Sequence, residues 1–261
     1  MNKNFNFKKK FGQNFLIDKD KTQRIVDLIN ANEEDLIIEI GPGAGALTKR
    51  LIKKNAKLIC YEIDTDTKEY LLPLENEKTK IVYKDFLSAN VQEEIKDIEY
   101  NNLYIVGNLP YYITTPIIEK IIKEEVDVKK MVFMVQKAVG ERFASKPNTR
   151  EYGSITVFLN YYFNIKQEFI VGRKCFNPAP NVDSMVISLN QKPERVKVDM
   201  KKFDKLVRDS FQFKRKNLRN NLKNYDLNKV NEILSKYNLD ITHRAEELDY
   251  KVFIDLSNNL F

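Results

Sequence analysis

The chain has 261 residues, of which 43% are hydrophobic and 31% charged, and its formal net charge is +7. This composition indicates a globular protein, and its short apolar runs exclude a membrane-spanning helix. Two cysteines far apart in sequence and a single histidine exclude a disulfide framework and metal-ligand spacing, so we expect a cytoplasmic protein without a metal site.

The first half of the chain alternates between predicted helices and short buried strands. The predicted strands are residues 36–40, 58–62, 81–83, 103–106 and 131–136, and the predicted helices are residues 21–31, 46–54, 67–74 and 116–125. Alternation of this kind predicts an α/β fold, in which helices cover both faces of a mostly parallel sheet.

The pattern changes after the last of these strands. Residues 154–163 and 166–171 are rich in β-branched and aromatic residues, and residues 184–190 alternate as a strand does. Successive strands without a helix between them predict an antiparallel addition at the sheet edge. A linker is predicted at residues 191–194, followed by four helices at residues 200–213, 216–223, 228–237 and 250–260. We therefore expect a catalytic domain over residues 1–192 and a small all-helical domain over residues 193–261.

A glycine-rich turn follows the first predicted strand, where Gly41 and Gly43 allow close approach of a ligand. The spacing is Gly-x-Gly-x-Gly, Ala46 stands where a dinucleotide fingerprint has its third glycine, and Pro42 removes an amide donor. These departures favour a nucleoside ligand that lacks a pyrophosphate.

Two carboxylates lie at or just after the ends of the next two strands. Glu62 lies 21 residues after Gly41 and is predicted to accept both ribose hydroxyls, of S-adenosylmethionine as much as of NAD. Asp85 is predicted to meet the adenine amino group. Ordinary strand-end polarity is the alternative for each residue alone, but the ordered set favours a methyltransferase.

The segment after the fourth strand carries the predicted chemistry. Asn108 can accept one hydrogen of an adenine N6 amine through its side-chain oxygen, and the Leu109 carbonyl can accept the other. Pro110 has no amide hydrogen, and Tyr111 offers a ring face to the base. The alternative is an Asn-Pro turn with a core tyrosine.

A second aromatic candidate is Phe176, which precedes two spaced prolines, Pro178 and Pro180. A stiff, extended loop could hold this ring against the other face of a flipped or single-stranded adenine. A proline-rich connector with a buried phenylalanine explains the local sequence equally well.

Taken together, these segments resemble the KsgA (RsmA) family of small-subunit rRNA adenine N6-dimethyltransferases along nearly the whole chain. The segments that carry the resemblance are residues 10–16, 39–45, 107–111, 115–116, 136–137, 152–154, 176–184, 214–223 and 244–246. It implies a Rossmann-like class I methyltransferase sheet with a helical C-terminal domain. It also implies dimethylation of N6 of two adjacent adenosines near the 3′ end of 16S rRNA in the small ribosomal subunit.

The resemblance further implies S-adenosylmethionine as cofactor. The implied contacts are Asn14, Leu16, Gly41, Glu62, Asp85 and Asn108. Asn14 and Leu16 belong, by composition, only to a basic N-terminal arm, which the resemblance turns into a lid over the cofactor.

Alternatives remain open. Erm-type enzymes, which act on 23S rRNA and confer antibiotic resistance, carry Asn-Ile-Pro-Tyr where this chain has Leu109. An NAD(P)-dependent oxidoreductase, an RNA-binding assembly factor without activity and a mitochondrial relative acting in transcription are further possibilities.

Positive charge is concentrated at the two ends of the chain. Residues 1–24 carry a net charge of +5, residues 25–192 a net charge of −2 and residues 193–261 a net charge of +4. Residues 201–223 hold nine Lys or Arg against two acids. The predicted RNA phosphate contacts are Lys214, Arg215, Lys216 and Arg219. Basic residues that only promote solubility are the alternative, and we expect a monomer.

Overall fold

The computed structural model describes residues 14–110 and 113–261. The strands in these residues are β1 (Phe15–Leu16), β2 (Leu36–Ile40), β3 (Lys57–Glu62), β4 (Thr79–Tyr83), β5 (Leu103–Asn108), β6 (Lys130–Gln136), β7 (Phe163–Val171), β8 (Phe176–Asn177) and β9 (Ser184–Gln191). The helices are α1 (Lys19–Asp27), α2 (Thr48–Leu51), α3 (Lys68–Leu71), α4 (Val91–Ile95), α5 (Thr114–Lys123), α6 (Lys137–Phe143), α7 (Ser154–Tyr162), α8 (Met200–Ser210), α9 (Leu218–Asn221), α10 (Leu227–Ser235) and α11 (Tyr250–Leu260). Over the same residues, none of the helices has the length and apolar character needed to cross a membrane.

The main sheet has seven strands in the order β4-β3-β2-β5-β6-β9-β7. Strands β4, β3, β2, β5 and β6 pair in parallel, whereas β9 pairs antiparallel with β6. This topology confirms the predicted α/β fold with a mostly parallel sheet and an antiparallel addition at one edge.

The central parallel strands β3, β2, β5 and β6 are mostly buried, as expected for a parallel sheet with helices on both faces. All five residues of β2 are buried, as are the five central residues of β6. The carboxyl ends of parallel strands lie at the same edge of a sheet, so β2, β3 and β5 all end at that edge. Ligands of open α/β sheets bind at that edge.

The chain divides into two compact units. The first comprises the described residues up to Gly140 together with Lys166–Asn190, and the second comprises Glu141–Ile165 and Gln191–Phe261. The sequence predicted a boundary near residue 193, where the chain passes into the second unit for the last time. The second unit also takes in Glu141–Ile165, which the sequence assigned to the catalytic domain.

The prediction of a strand at residues 154–163 was wrong, because residues Ser154–Tyr162 form helix α7. Val157 and Tyr161, four residues apart and therefore on one helix face, are buried in the core of the second unit. Thr156 Oγ1 accepts a hydrogen bond of 3.3 Å from the Gly153 amide at the helix start. Packing of one face thus overrides the β propensity of the segment. The neighbouring prediction at residues 166–171 is confirmed, since these residues lie in β7.

The second unit is helical around its own core. Phe203 and Leu206 of α8, Leu218 of α9 and Phe253 of α11 are fully buried in this core. Aspartates accept amide hydrogens at the starts of α8, α10 and α11, which satisfies donors that a helix leaves unpaired. Helix α8 ends at Ser210 and α9 begins only at Leu218, so the basic run at residues 214–216 lies in the connecting turn and not in a helix.

Candidate active site

A cavity of about 270 Å³ lies within the first unit, at the carboxyl ends of β2, β3 and β5. The predicted site residues that line it are Asn14, Leu16, Gly41, Gly43, Glu62, Asp85, Asn108, Leu109, Pro110 and Phe176. Tyr111 lies outside the described residues. The structure therefore brings together residues from six separate segments, and their individual roles stay predictions.

The glycine-rich turn between β2 and α2 needs glycine for its backbone conformation. Gly41, Gly43 and Gly45 have φ angles of +69°, +58° and +77°, a region that L side chains rarely adopt. A Cβ on Gly43 would also lie 2.5 Å from Cε1 of Phe15. Both the positive φ angle and the neighbouring Phe15 ring therefore require glycine at position 43.

Glu62 ends β3 and ties the glycine turn to the sheet. Its carboxylate accepts hydrogen bonds from the Gly43 amide at 2.9 Å and from the Asp64 amide at 2.8 Å. The side chain is buried, and this burial raises the pKa of Glu62. Each carboxylate oxygen still has a second lone pair for a ligand hydroxyl.

The sequence assigned no role to Glu39, although it lines the cavity from β2. Its side chain is 1% exposed, and burial raises the pKa of Glu39 to about 7. The Cys60 thiol donates to Glu39 Oε2 at 3.5 Å. A second buried carboxyl group therefore lies beside Glu62, and the electrostatic repulsion between the two contributes to the raised pKa.

We expect Glu39→Gln to remove a pH dependence of stability. An acid whose pKa is about 7 when folded and about 4.5 when unfolded holds more protons in the folded state between these values, so stability falls as pH rises through that window. The free energy of unfolding of the wild type in urea should fall by about 3 kcal/mol between pH 4.5 and 7.5 relative to that of Glu39→Gln. If the free energy of unfolding changes with pH equally in the two proteins, the raised pKa of Glu39 is contradicted.

The segment after β5 is held from both sides. Asn108 Nδ2 donates to the Asn14 carbonyl at 3.0 Å, which fixes the amide so that Oδ1 points the other way as an acceptor. The Leu109 amide donates to the Met134 carbonyl at 3.2 Å, and the Ile113 amide donates to the Pro110 carbonyl at 3.1 Å. The backbone donors are thereby engaged within the protein, and acceptor oxygens remain for a ligand.

Phe176 is positioned by a two-residue ribbon that sequence reasoning did not predict. Strand β8 pairs antiparallel with β1, with Leu16 opposite Phe176 and Phe15 opposite Asn177. The Ile17 amide extends the pairing through a 2.9 Å bond to the Cys175 carbonyl. This ribbon places the predicted lid residues and the predicted base-stacking ring side by side at the cavity.

The cavity carries an excess of carboxyl groups. Among its described lining residues, Glu39, Glu62 and Asp85 are acidic and Lys84 is basic. Lys84 is itself paired with Glu94, at 2.8 Å. An acidic cavity suits a cationic ligand and opposes the two negative charges of a pyrophosphate, which disfavours an NAD site.

Asp85 and the apolar residues next to it form one wall. Asp85 Oδ1 accepts the Leu87 amide hydrogen at 2.9 Å, which orients the carboxylate at the start of a short 3₁₀ turn. Ile63, Phe86 and Leu87 line the cavity beside it. The sequence assigned no role to these three residues, which only their position after strand ends could have indicated, nor to Phe15 of β1.

The predicted RNA-contacting residues lie in the second unit. Lys214, Arg215, Lys216 and Arg219 are all exposed, and Lys214 Nζ lies 3.3 Å from the Arg150 carbonyl. This contact brings Arg150, also exposed, to the same surface. Within the described residues, no cluster of His, Cys, Asp and Glu could hold a metal ion.

Comparison with known proteins gives consistent results. The family model described as ribosomal RNA adenine dimethylase matches residues 4–260. Relatives named ribosomal RNA small subunit methyltransferase A, from Bacillus cytotoxicus and Bacillus mycoides, are each 41% identical to this chain, and each alignment covers 98% of this chain and 92% of the relative.

Solved structures share the fold. A dimethyladenosine transferase from Plasmodium falciparum matches with a TM-score of 0.79 at 23% identity, over 93% of this chain and 95% of its own. The 23S rRNA methyltransferase ErmE matches with a TM-score of 0.73 at 22% identity, over 95% of this chain and 99% of its own. At these identities the likeness establishes the fold and does not separate the two substrates.

Proposed function

The chain belongs to the ribosomal RNA adenine dimethylase family, and from that premise we propose that it dimethylates N6 of two adjacent adenosines near the 3′ end of 16S rRNA, with S-adenosylmethionine as methyl donor. The observation that carries this proposal is the anchoring of Asn108 by the Asn14 carbonyl, which turns an acceptor oxygen away from the protein backbone. The curated relatives at 41% identity carry names that specify the small subunit, which supports the choice of subunit.

The cavity fits S-adenosylmethionine by the chemistry of its donors and acceptors. The carboxylate of Glu62 can accept the ribose hydroxyls, and that of Asp85 can accept an adenine amino hydrogen. Ile63 and Leu87 offer apolar surface to the adenine ring. The excess of carboxyl groups favours a ligand that carries a sulfonium and an ammonium group. When bound, this cofactor supplies an activated methyl group.

The protein contributes positioning and electrostatic stabilisation. The target N6 lone pair is delocalised into the adenine ring, so the amine is a poor nucleophile until both of its hydrogens are held. Asn108 Oδ1 and the Leu109 carbonyl accept those hydrogens, and both bonds strengthen as N6 gains positive charge. The buried ring of Phe176 lines the same cavity and can stack on the base. No strong general base is needed, because the proton can leave after transfer.

The test is methyl transfer to isolated ribosomal subunits. Small subunits that lack the modification should accept close to four methyl groups per particle, on two adjacent adenosines that primer extension or mass spectrometry can locate. Large subunits assayed in parallel control for the Erm-type alternative. Labelling of large subunits alone would overturn the assignment. Monomeric state and cytoplasmic location stay predictions.

We expect the basic turn in the second unit to set the salt dependence of RNA binding. Replacing Lys214, Arg215 and Lys216 with Gln removes three phosphate contacts, so the slope of log K against log salt should fall by about 2 for single-stranded RNA. The matched control replaces three other exposed lysines of the same unit, Lys229, Lys236 and Lys251, with Gln. Equal slopes for the two triple variants would show that the salt dependence of RNA binding reflects the net charge of the protein and not contacts made by the basic turn.

A further inference from the structure

Phe213 is exposed in the middle of the basic turn. Of the phenylalanines in residues 14–110 and 113–261, only Phe213 and Phe261 are exposed, at 54% and 49%. Phe213 is followed directly by three cations, Lys214, Arg215 and Lys216. An exposed ring gains little from burial within its own fold, so its position among phosphate-binding residues requires another explanation.

The turn that carries this ring is preformed. The Lys216 amide donates to the Phe213 carbonyl at 2.8 Å and closes a four-residue turn with Lys214 and Arg215 at its centre. The three consecutive basic side chains are therefore presented on a defined backbone.

The side-chain amide of one buried residue, Asn221, hydrogen-bonds to the backbone of this turn. Asn221 is 8% exposed, and its Oδ1 accepts the Phe213 amide hydrogen at 3.1 Å. Its Nδ2 lies 2.7 Å from the Ser210 carbonyl and 3.3 Å from each of the carbonyls of Phe213 and Lys216. The side chain thus fixes both ends of the turn and one of the last carbonyls of α8. The backbone of Phe213 is fixed before any ligand arrives, which lowers the entropic cost of a contact.

We propose that the Phe213 ring stacks on an unpaired base of the RNA substrate while the neighbouring cations contact its phosphates, and that Asn221 positions the turn for both contacts. This inference rests on the proposed RNA-methylating function and adds a base contact to a surface predicted only to bind phosphates. An aromatic ring flanked by cations is the arrangement that single-stranded nucleic acid binds, because every base offers a π face and every nucleotide a phosphate.

The test separates stacking from charge. Phe213→Ala in the full chain should weaken binding to a single-stranded oligoadenylate roughly tenfold, with the salt slope unchanged, because no phosphate contact is lost. Phe213→Trp should bind at least as tightly as the wild type. A ribose-phosphate oligomer of the same length without bases should bind Phe213→Ala and the wild type equally. Phe261→Ala, which removes the other phenylalanine that is exposed among the described residues, is the matched control and should have no effect.

Three results would overturn the proposal. They are an unchanged affinity of Phe213→Ala for oligoadenylate, an equal loss on the abasic oligomer, and sedimentation showing that Phe213 mediates self-association. If the wild type binds oligoadenylate and Phe213→Ala binds it equally well, only this inference is refuted. If the wild type does not methylate small subunits, the proposed function is refuted instead.

Asn221 has its own readout. Asn221→Ala removes the side-chain partner of the Phe213 amide and of the Ser210 and Lys216 carbonyls, while the Phe213 carbonyl keeps only the Lys216 amide, so the turn should loosen. In protein that remains folded by circular dichroism, affinity for oligoadenylate should fall at least as far as in Phe213→Ala, and adding Phe213→Ala should cause little further loss. Independent, additive losses would contradict a positioning role.

Discussion

Replacing Asn108 with alanine should lower the rate of methyl transfer about 10²–10³-fold and leave cofactor affinity within tenfold of the wild type. The effect is large because the lost acceptor acts on N6 most strongly as positive charge develops there, and removal of one such transition-state hydrogen bond has costs of about this size. Single-turnover transfer to unmodified small subunits, at saturating cofactor, measures the rate. Titration calorimetry with S-adenosylhomocysteine measures the affinity.

The variant Asn108→Asp separates two roles that alanine removes together. Asn108 donates through Nδ2 to the Asn14 carbonyl and is predicted to accept through Oδ1. Aspartate keeps an acceptor and loses the donor. If acceptance of the N6 hydrogen dominates, Asn108→Asp should retain activity within about tenfold of the wild type, well above Asn108→Ala. If support of residue 14 dominates, the two variants should be equally impaired and should both lose cofactor affinity.

The sheet and the location of the site could be predicted because their signals are local. Each parallel strand is a short run of buried residues, and the carboxyl ends of such strands lie at one edge. Gly41, Glu62, Asp85 and Asn108 each end or follow one of those strands, so the order of the strands places them around one cavity. The positive φ angles of the glycine turn likewise follow from residue type.

The remaining features depend on packing between distant segments. Helix α7 has strand-like composition, and only the burial of Val157 and Tyr161 on one face shows it to be helical. Ribbon β1–β8 joins two-residue strands that are more than 150 residues apart, too short to show a periodicity. The raised pKa of Glu39 comes first from its burial and in part from proximity to Glu62, neither of which is visible in sequence.

Replacing Gly43 with alanine should weaken cofactor binding about tenfold or more and destabilise the fold by about 2 kcal/mol. Alanine at a φ of +58° costs about 1 kcal/mol, and its Cβ would lie 2.5 Å from the Phe15 ring, which must move out of the cavity wall. The Gly43 amide also donates to Glu62, so a distorted turn displaces the carboxylate predicted to hold the ribose. Calorimetry with S-adenosylhomocysteine and urea unfolding measure the two effects.

A matched control and a double-mutant cycle identify the cause. Gly172→Ala introduces the same methyl group where φ is −66° and where, apart from its chain neighbours, no heavy atom lies within 4 Å, so stability and affinity should stay near the wild-type values. Phe15→Ala removes the ring that the new methyl group would strike. If the steric contact contributes, Gly43→Ala should cost less in the Phe15→Ala background than alone, by about 1 kcal/mol, and the residual cost should be that of the positive φ angle. An equal cost in both backgrounds would assign the whole effect to the backbone and leave Phe15 without a part in shaping the turn.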